Sequence, residues 1–143
     1  MASTPAVAAA ERAGIPFRTH SYEHDPRAES YGLEAAEKLA LDPARVFKTL
    51  IVDVDGRPAV AIVPVEAQVD LKTLGGKRLR SARHGLRLRR DQSARPAEVA
   101  ADDASALGHE TIDVRGRRGL EIELDPGDLA RLRGADVRPI ARF

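Results

Sequence analysis

The sequence predicts an α/β fold of the α+β kind, a mixed sheet surrounded by helices. Three observations predict it. Stretches with apolar residues at helical spacing are interspersed with short apolar runs. Two of those runs, Val46–Val54 and Pro58–Val65, flank Asp55-Gly56, a strong hairpin signal. A chain of 143 residues, 43% hydrophobic and 31% charged, is long enough for one domain with a real core, expected to span 1–143. Aromatic residues are only 3%, so that core is built from Ala, Val, Ile and Leu.

Thr4-Pro5 opens a first helix, with Thr4 as N-cap, and Gly14 ends it. Phe17–Tyr22 reads as a strand, followed by the polar exit Glu23-His24-Asp25-Pro26. Leu33, Ala36, Leu39 and Ala40 give 32–40 the spacing of an amphipathic helix. Asp42-Pro43 caps a short helical turn. After the central hairpin, 68–74 starts a very short helix with Asp70 as its cap, stopped by Gly75-Gly76. From 77 to 103 neither a period of 2 nor one of 3.6 is sustained. Order resumes with a strand at 110–114, a turn at 116–119 and a strand at 120–124. There Leu120, Ile122 and Leu124 share the apolar face, and alternation turns Glu121 and Glu123 toward solvent. Asp125-Pro126 begins the last helix, and 137–141 closes the chain as a strand.

Composition excludes several chemistries. Cysteine is absent, so no disulfide, thiolate zinc site or cysteine nucleophile exists in this chain. No apolar run approaches membrane-spanning length and the start lacks a signal core, so the expected location is the cytoplasm. There is no Walker loop, no G-x-G-x-x-G after a strand and no G-x-S-x-G. His20 and His24 are four residues apart on or beside a strand, with no third ligand nearby in sequence, so no metal site and no cofactor are expected. The net charge of +1 is uneven. Eight basic residues and one acid lie between Lys77 and Arg95, and the remainder carries 15 basic and 21 acidic residues. Such a segment grips nucleic-acid phosphates or is simply solvated, and it carries no aromatics for base stacking.

The organising stretch is Val46-Phe47-Lys48-Thr49-Leu50-Ile51-Val52-Asp53-Val54. Lys48 shares a face with Leu50, Val52 and Val54. Thr49 shares the other with Phe47, Ile51 and Asp53. A lysine here either lays its stem on the sheet and sends the ammonium to water, or points the ammonium into a pocket.

Thr4-Pro5-Ala6-Val7, Ser21-Tyr22-Glu23-His24-Asp25, Val46-Phe47-Lys48-Thr49-Leu50, Val69-Asp70-Leu71-Lys72, Arg118-Gly119-Leu120-Glu121-Ile122-Glu123-Leu124 and Gly127-Asp128-Leu129 occur in this order. The chain thereby resembles the YbaK/EbsC family, relatives of the editing domain of prolyl-tRNA synthetase, over residues 4–76 and 105–141. The resemblance implies a single domain with a mixed, curved sheet surrounded by helices. It implies a trans-editing aminoacyl-tRNA deacylase, of lyase or hydrolase class, that clears Cys-tRNA(Pro). In that mechanism the substrate's own thiol attacks its ester and leaves as a thiolactone. No cofactor is needed. The implied partners are the acceptor end of mischarged tRNA(Pro) and prolyl-tRNA synthetase, with no membrane; oligomeric state is left open. Lys48 matches the family lysine that holds the substrate end. Tyr22, Thr49 and Glu121 match pocket positions, with Glu121 standing for an aspartate and Arg115 where a serine is expected. Deacylation of Ala-tRNA(Pro) and non-catalytic binding of tRNA or synthetase are the alternatives.

The chain departs from the family at about 78–104. There the family has T-G-Y-x-x-G-G-I-S-P-L-G-Q and then L-P-T. One permitted codon choice for Arg89 to Pro96, read one base later, gives G-G-I-S-P-L-G-Q. The same shift turns His84-Gly85-Leu86 into T-G-Y and 99–103 into S-L-P-T-T. The expectation is a stretch of family loop read out of frame, which the codons of the gene test directly.

Overall fold

The first helix, α1 (Pro5–Ala13), begins where Thr4 Oγ1 accepts the Val7 N–H at 3.2 Å and ends at Gly14, whose N–H reaches the Ala10 and Glu11 carbonyls. It opens a computed structural model that describes residues 4–28, 31–54, 57–74, 78–82, 99–117 and 119–143. The fold is α/β, a mixed sheet flanked by helices, as expected. Strand β1 (Phe17–Ser21) leads to α2 (Tyr31–Lys38) and a short 3-10 turn at Pro43–Arg45. The hairpin follows as β2 (Val46–Val54) and β3 (Arg57–Pro64), antiparallel from Phe47↔Pro64 to Val54↔Arg57. Its turn, Asp55-Gly56, lies outside the described residues.

The 68–74 stretch divides into β4 (Gln68–Val69) and one helical turn, α3 (Leu71–Leu74), where Asp70 accepts the Thr73 N–H. The stretch without periodicity has a strand at each end, β5 (Arg78–Ala82) and β6 (Val99–Asp103). This corrects the expectation for those ends, and 83–98 lies outside the described residues. Strand β7 (Ile112–Arg117) extends further than expected, through two positions assigned to a turn. It pairs with β8 (Leu120–Leu124) with a register shift between Arg115 and Arg117. Helix α4 (Pro126–Arg133) follows its Asp125 cap, which takes the Gly127 and Asp128 N–H groups. The expected last strand is broken at Pro139-Ile140 into β9 (Asp136–Arg138) and β10 (Ala141–Arg142), which join different sheets. Proline removes a ladder donor, and a strand that changes sheets there loses little.

Sheet order among the described residues is β1-β8-β7-β2-β3-β6-β9, with β5 also on β2, and β10-β4 forms a separate pair. The second edge of β2 is divided. Val46 and Phe47 pair in parallel with Asp113 and Val114 of β7, whereas Leu50 to Asp53 pair antiparallel with β5. Lys48 and Thr49 lie at the fork between them.

One face packs Phe47, Ile62, Val114, Ile122 and Leu124 against Ala6, Val7 and Ala10 of α1 and Leu129 of α4. The other packs Leu50, Val52, Ala61 and Val63 beneath Val69 and Ile140. Closer to the start of β2, Val46 and Val65 meet Ala36 of α2. That helix comes so close that a Cβ on Gly32 would lie 2.2 Å from Val65 Cγ1. Its buried face is Glu34, Ala35 and Ala36, and Leu33 is 43% exposed, so the apolar stripe is rotated from the one its spacing predicts. Two aspartates of β6 do work that the sequence pattern does not reveal. Asp102 ion-pairs with Arg133 of α4, which is 1% exposed and also donates to the Val60 carbonyl at 3.2 Å. Asp103 Oδ1 accepts the Ile140 and Ala141 N–H groups, each at 2.8 Å, and so holds the broken strand in place.

Candidate functional site

Strand register gathers the site on the α2-side face. On that face Glu121 of β8 stands opposite Arg115 of β7 and His20 of β1. Lys48 is the residue just past the last β2–β7 pair, Phe47↔Val114, and alternation puts it on this face too. The next row holds Val46, Asp113, Glu123 and Arg18.

Lys48 is partly buried, and among the described residues its ammonium has neither a hydrogen bond nor an ion pair. Burial pushes its pKa below the ordinary lysine value. Glu121 is 1% exposed and Glu123 is also largely covered, which corrects their expected outward placement. Alternation is right, but both faces of β8 are covered. Tyr22 follows β1 on the same side. Its N–H donates to the Gly119 carbonyl at 2.9 Å, and Gly119 has φ +81°. A Cβ on Gly119 would lie 2.9 Å from the Tyr22 carbonyl oxygen, so glycine there lets the two chains cross. Thr49 is not brought to this group. Its side chain is 3% exposed on the opposite face, and Oγ1 has no hydrogen bond. The Arg115 side chain and His84 lie outside the described positions.

A second cluster adjoins the first. Glu123 accepts from Thr111 Oγ1 at 2.5 Å, from His20 Nε2 at 2.8 Å and from Arg45 at 3.1 Å. These donors, Thr111 and His20 foremost, hold its pKa at about 2 against 4.5, although burial opposes them. Asp113 is fully buried. Burial raises its pKa, with Arg45 at 3.3 Å opposing and the Glu123 charge adding. His20, read by sequence as lacking nearby ligands, thus meets two carboxylates from strands about ninety and a hundred residues further along the chain. Beside this cluster is a cleft of about 670 Å³ lined by Arg18, Arg45, His109, Thr111, Glu123 and Asp128, among others.

No family model matches the chain. Solved structures share its fold. A candidate trans-editing enzyme for prolyl-tRNA synthetase superposes with TM-score 0.68 at 16% identity, over 99% of this chain and 100% of that one. Hypothetical protein APE2540 gives TM-score 0.67 at 19% identity, over 93% and 96%. A scaffold protein for presenting grafted epitopes gives TM-score 0.70 at 17% identity, over 95% and 94%. At such identities the likeness is one of fold.

His24, the other half of the histidine pair, has a separate role. Its Nδ1 lies 2.8 Å from Glu34 Oε1 of α2, and the Asp25 N–H donates to Glu34 Oε2 at 2.7 Å. Burial opposes ionisation of Glu34, yet the Asp25 amide, His24 and Lys38 hold its carboxyl below the usual range. The loop after Tyr22 is therefore fastened to α2 by hydrogen bonds to the Glu34 carboxylate. Among the described residues no helix is long and apolar enough to cross a membrane.

The acid cluster has a consequence for stability. Because Glu123 is depressed from 4.5 to about 2, the unfolded chain takes up this proton first as pH falls. Its contribution, roughly 3 kcal/mol at most, is complete above about pH 4.5 and is lost as pH falls toward about 2. Asp113, raised by burial, acts in the opposite sense. Glu123→Gln is expected to flatten the fall in stability between about pH 5 and about pH 3. Urea unfolding at several pH values measures this, and a slope unchanged from wild type would refute it.

Proposed function

We propose that the protein is a trans-editing aminoacyl-tRNA deacylase of the YbaK/EbsC type that removes cysteine from mischarged Cys-tRNA(Pro). The observation that carries the reading is Lys48, a partly buried ammonium with no partner among the described residues, on the same sheet face as Glu121. The ordered motifs around Lys48 and the fold shared with a candidate prolyl trans-editing enzyme support it.

In this reading residues 1–143 form one editing domain, with an atypical basic segment at about 78–104. The partners are the acceptor end of tRNA(Pro) and prolyl-tRNA synthetase, and the place of action is the cytoplasm. Lys48 holds the anionic end of the substrate. Tyr22 and Glu121 line the pocket, and Thr49 contributes through its main chain. The cysteine sulfur attacks its own ester carbonyl, the carbon–oxygen bond to the ribose breaks, and the ribose oxygen takes the thiol proton. The protein's contribution is to position the sulfur and stabilise the oxyanion.

Parallel time courses with Cys-tRNA(Pro) and Ala-tRNA(Pro) test this. Cysteine is expected to be released faster, as a thiolactone, because alanine has no thiol. Equal rates would replace the thiol by water as nucleophile. Binding without release of either would make the chain a non-catalytic tRNA-binding module. A version carrying the family loop in place of 84–96 shows how far that segment limits the rate.

A further inference from the structure

We propose that His20, Asp113 and Glu123 form a site for one divalent transition-metal cation of the zinc class. The proposal is independent of the deacylase reading. The three ligand atoms, His20 Nε2, Asp113 Oδ1 and Glu123 Oε1, all lie within 4.8 Å of one another. Nε2 is 2.8 Å from Oε1 and 3.8 Å from Oδ1. A cation about 2.0–2.2 Å from each ligand needs them about 3–3.5 Å apart, which small side-chain movements supply.

Asp113 is the observation that points to a ligand. Its side chain is fully buried, and Oδ1, the oxygen turned toward His20, makes no hydrogen bond among the described residues. Its nearest positive neighbours are Arg45 at 3.3 Å and His20 at 3.8 Å. Buried carboxylates are normally satisfied by donors, paired or bound to metal.

The geometry also divides the cluster. Arg45 faces Asp113 Oδ2 and Glu123 Oε2, while His20 faces Oδ1 and Oε1. Each carboxylate can keep one oxygen on Arg45 and give the other to the ion. Thr111, donating to Glu123 Oε2, fixes the same orientation. Such partners behind the ligands orient them and tune affinity. Two carboxylates against one guanidinium leave one negative charge when His20 is neutral, and a dication overcompensates it by one. One nitrogen and two oxygens suit Zn²⁺ or its first-row neighbours, with water completing the shell, better than Mg²⁺ or Ca²⁺. His20 is 31% exposed, so an ion can enter past it. Nε2 now faces Glu123 Oε1, so a neutral His20 takes the ion as the tautomer with its proton on Nδ1.

The test uses the full chain, stripped with chelator. Zn²⁺ is titrated by calorimetry, and Co²⁺ by visible absorption. The expected result is one equivalent bound, a cobalt band, and affinity weakened at least about tenfold by His20→Ala. His20 is partly exposed, so that variant should fold, which circular dichroism checks. Asp113→Asn should weaken binding likewise, with Glu123→Gln as the substitute if Asp113→Asn does not fold. Absence of heat and of a cobalt band overturns the proposal. So does binding that His20→Ala leaves unchanged, or a preference for Mg²⁺ or Ca²⁺.

Discussion

Lys48→Ala is expected to lower the rate of Cys-tRNA(Pro) deacylation on the order of 100-fold, the scale of losing one preorganised electrostatic contact. Folding should hardly notice. Among the described residues the ammonium has no ion pair to lose, and burial already disfavours its charge. Lys48→Met separates the two meanings of this lysine. It keeps an apolar stem on the sheet and removes the charge. If the stem alone matters, Lys48→Met deacylates like wild type. If the ammonium meets the substrate, it is as slow as Lys48→Ala and at least as stable as wild type. Single-turnover rates and thermal midpoints for both variants decide, and two wild-type rates would remove Lys48 from the site.

Arg133→Ala is expected to destabilise the protein by about 3–5 kcal/mol, because it leaves Asp102 buried without its counter-charge. That is a large part of the ~5–15 kcal/mol typical of a domain. Removing both charges together is expected to cost far less. Arg133→Met with Asp102→Leu puts apolar groups of similar length in the same place, an exchange often close to neutral. Urea midpoints of the single and double variants measure the difference. A loss below about 1 kcal/mol for Arg133→Ala would mean that Asp102 finds water or another donor.

Local signals and distant ones fared differently. The caps at Thr4, Asp42 and Asp125 and the β2–β3 pair were legible because each depends on residues close in sequence. Strand β6 was not. Its Val-Ala-Ala-Asp-Asp has no alternation, because both faces are covered and its two aspartates are ion-paired or hydrogen-bonded by partners 31 and 37 residues away. The burial of Glu121 and Glu123 was missed for the same reason, since a strand's pattern does not tell whether its polar face is covered. For the site, the sequence placed Lys48 and Thr49 on opposite faces, and the structure does too. The cluster around His20 needed the register of four strands. The shifted reading would place Ser-Leu-Pro-Thr-Thr over 99–103, yet Asp102 and Asp103 have specific buried partners in the chain as it stands.

The fork in the edge of β2 has an evolutionary side. The Val65 N–H donates to the Val46 carbonyl, so even-numbered residues of β2 turn their main chain toward β3 and odd-numbered ones toward the other edge. Thr49 therefore turns its N–H and C=O to the edge of β2 that β5 and β7 share. Drift can erase Lys48 or exchange Glu121, but no side-chain substitution except proline removes a main-chain donor. The polarity of that spot is inherited with the strand order and outlasts changes in the residues around it.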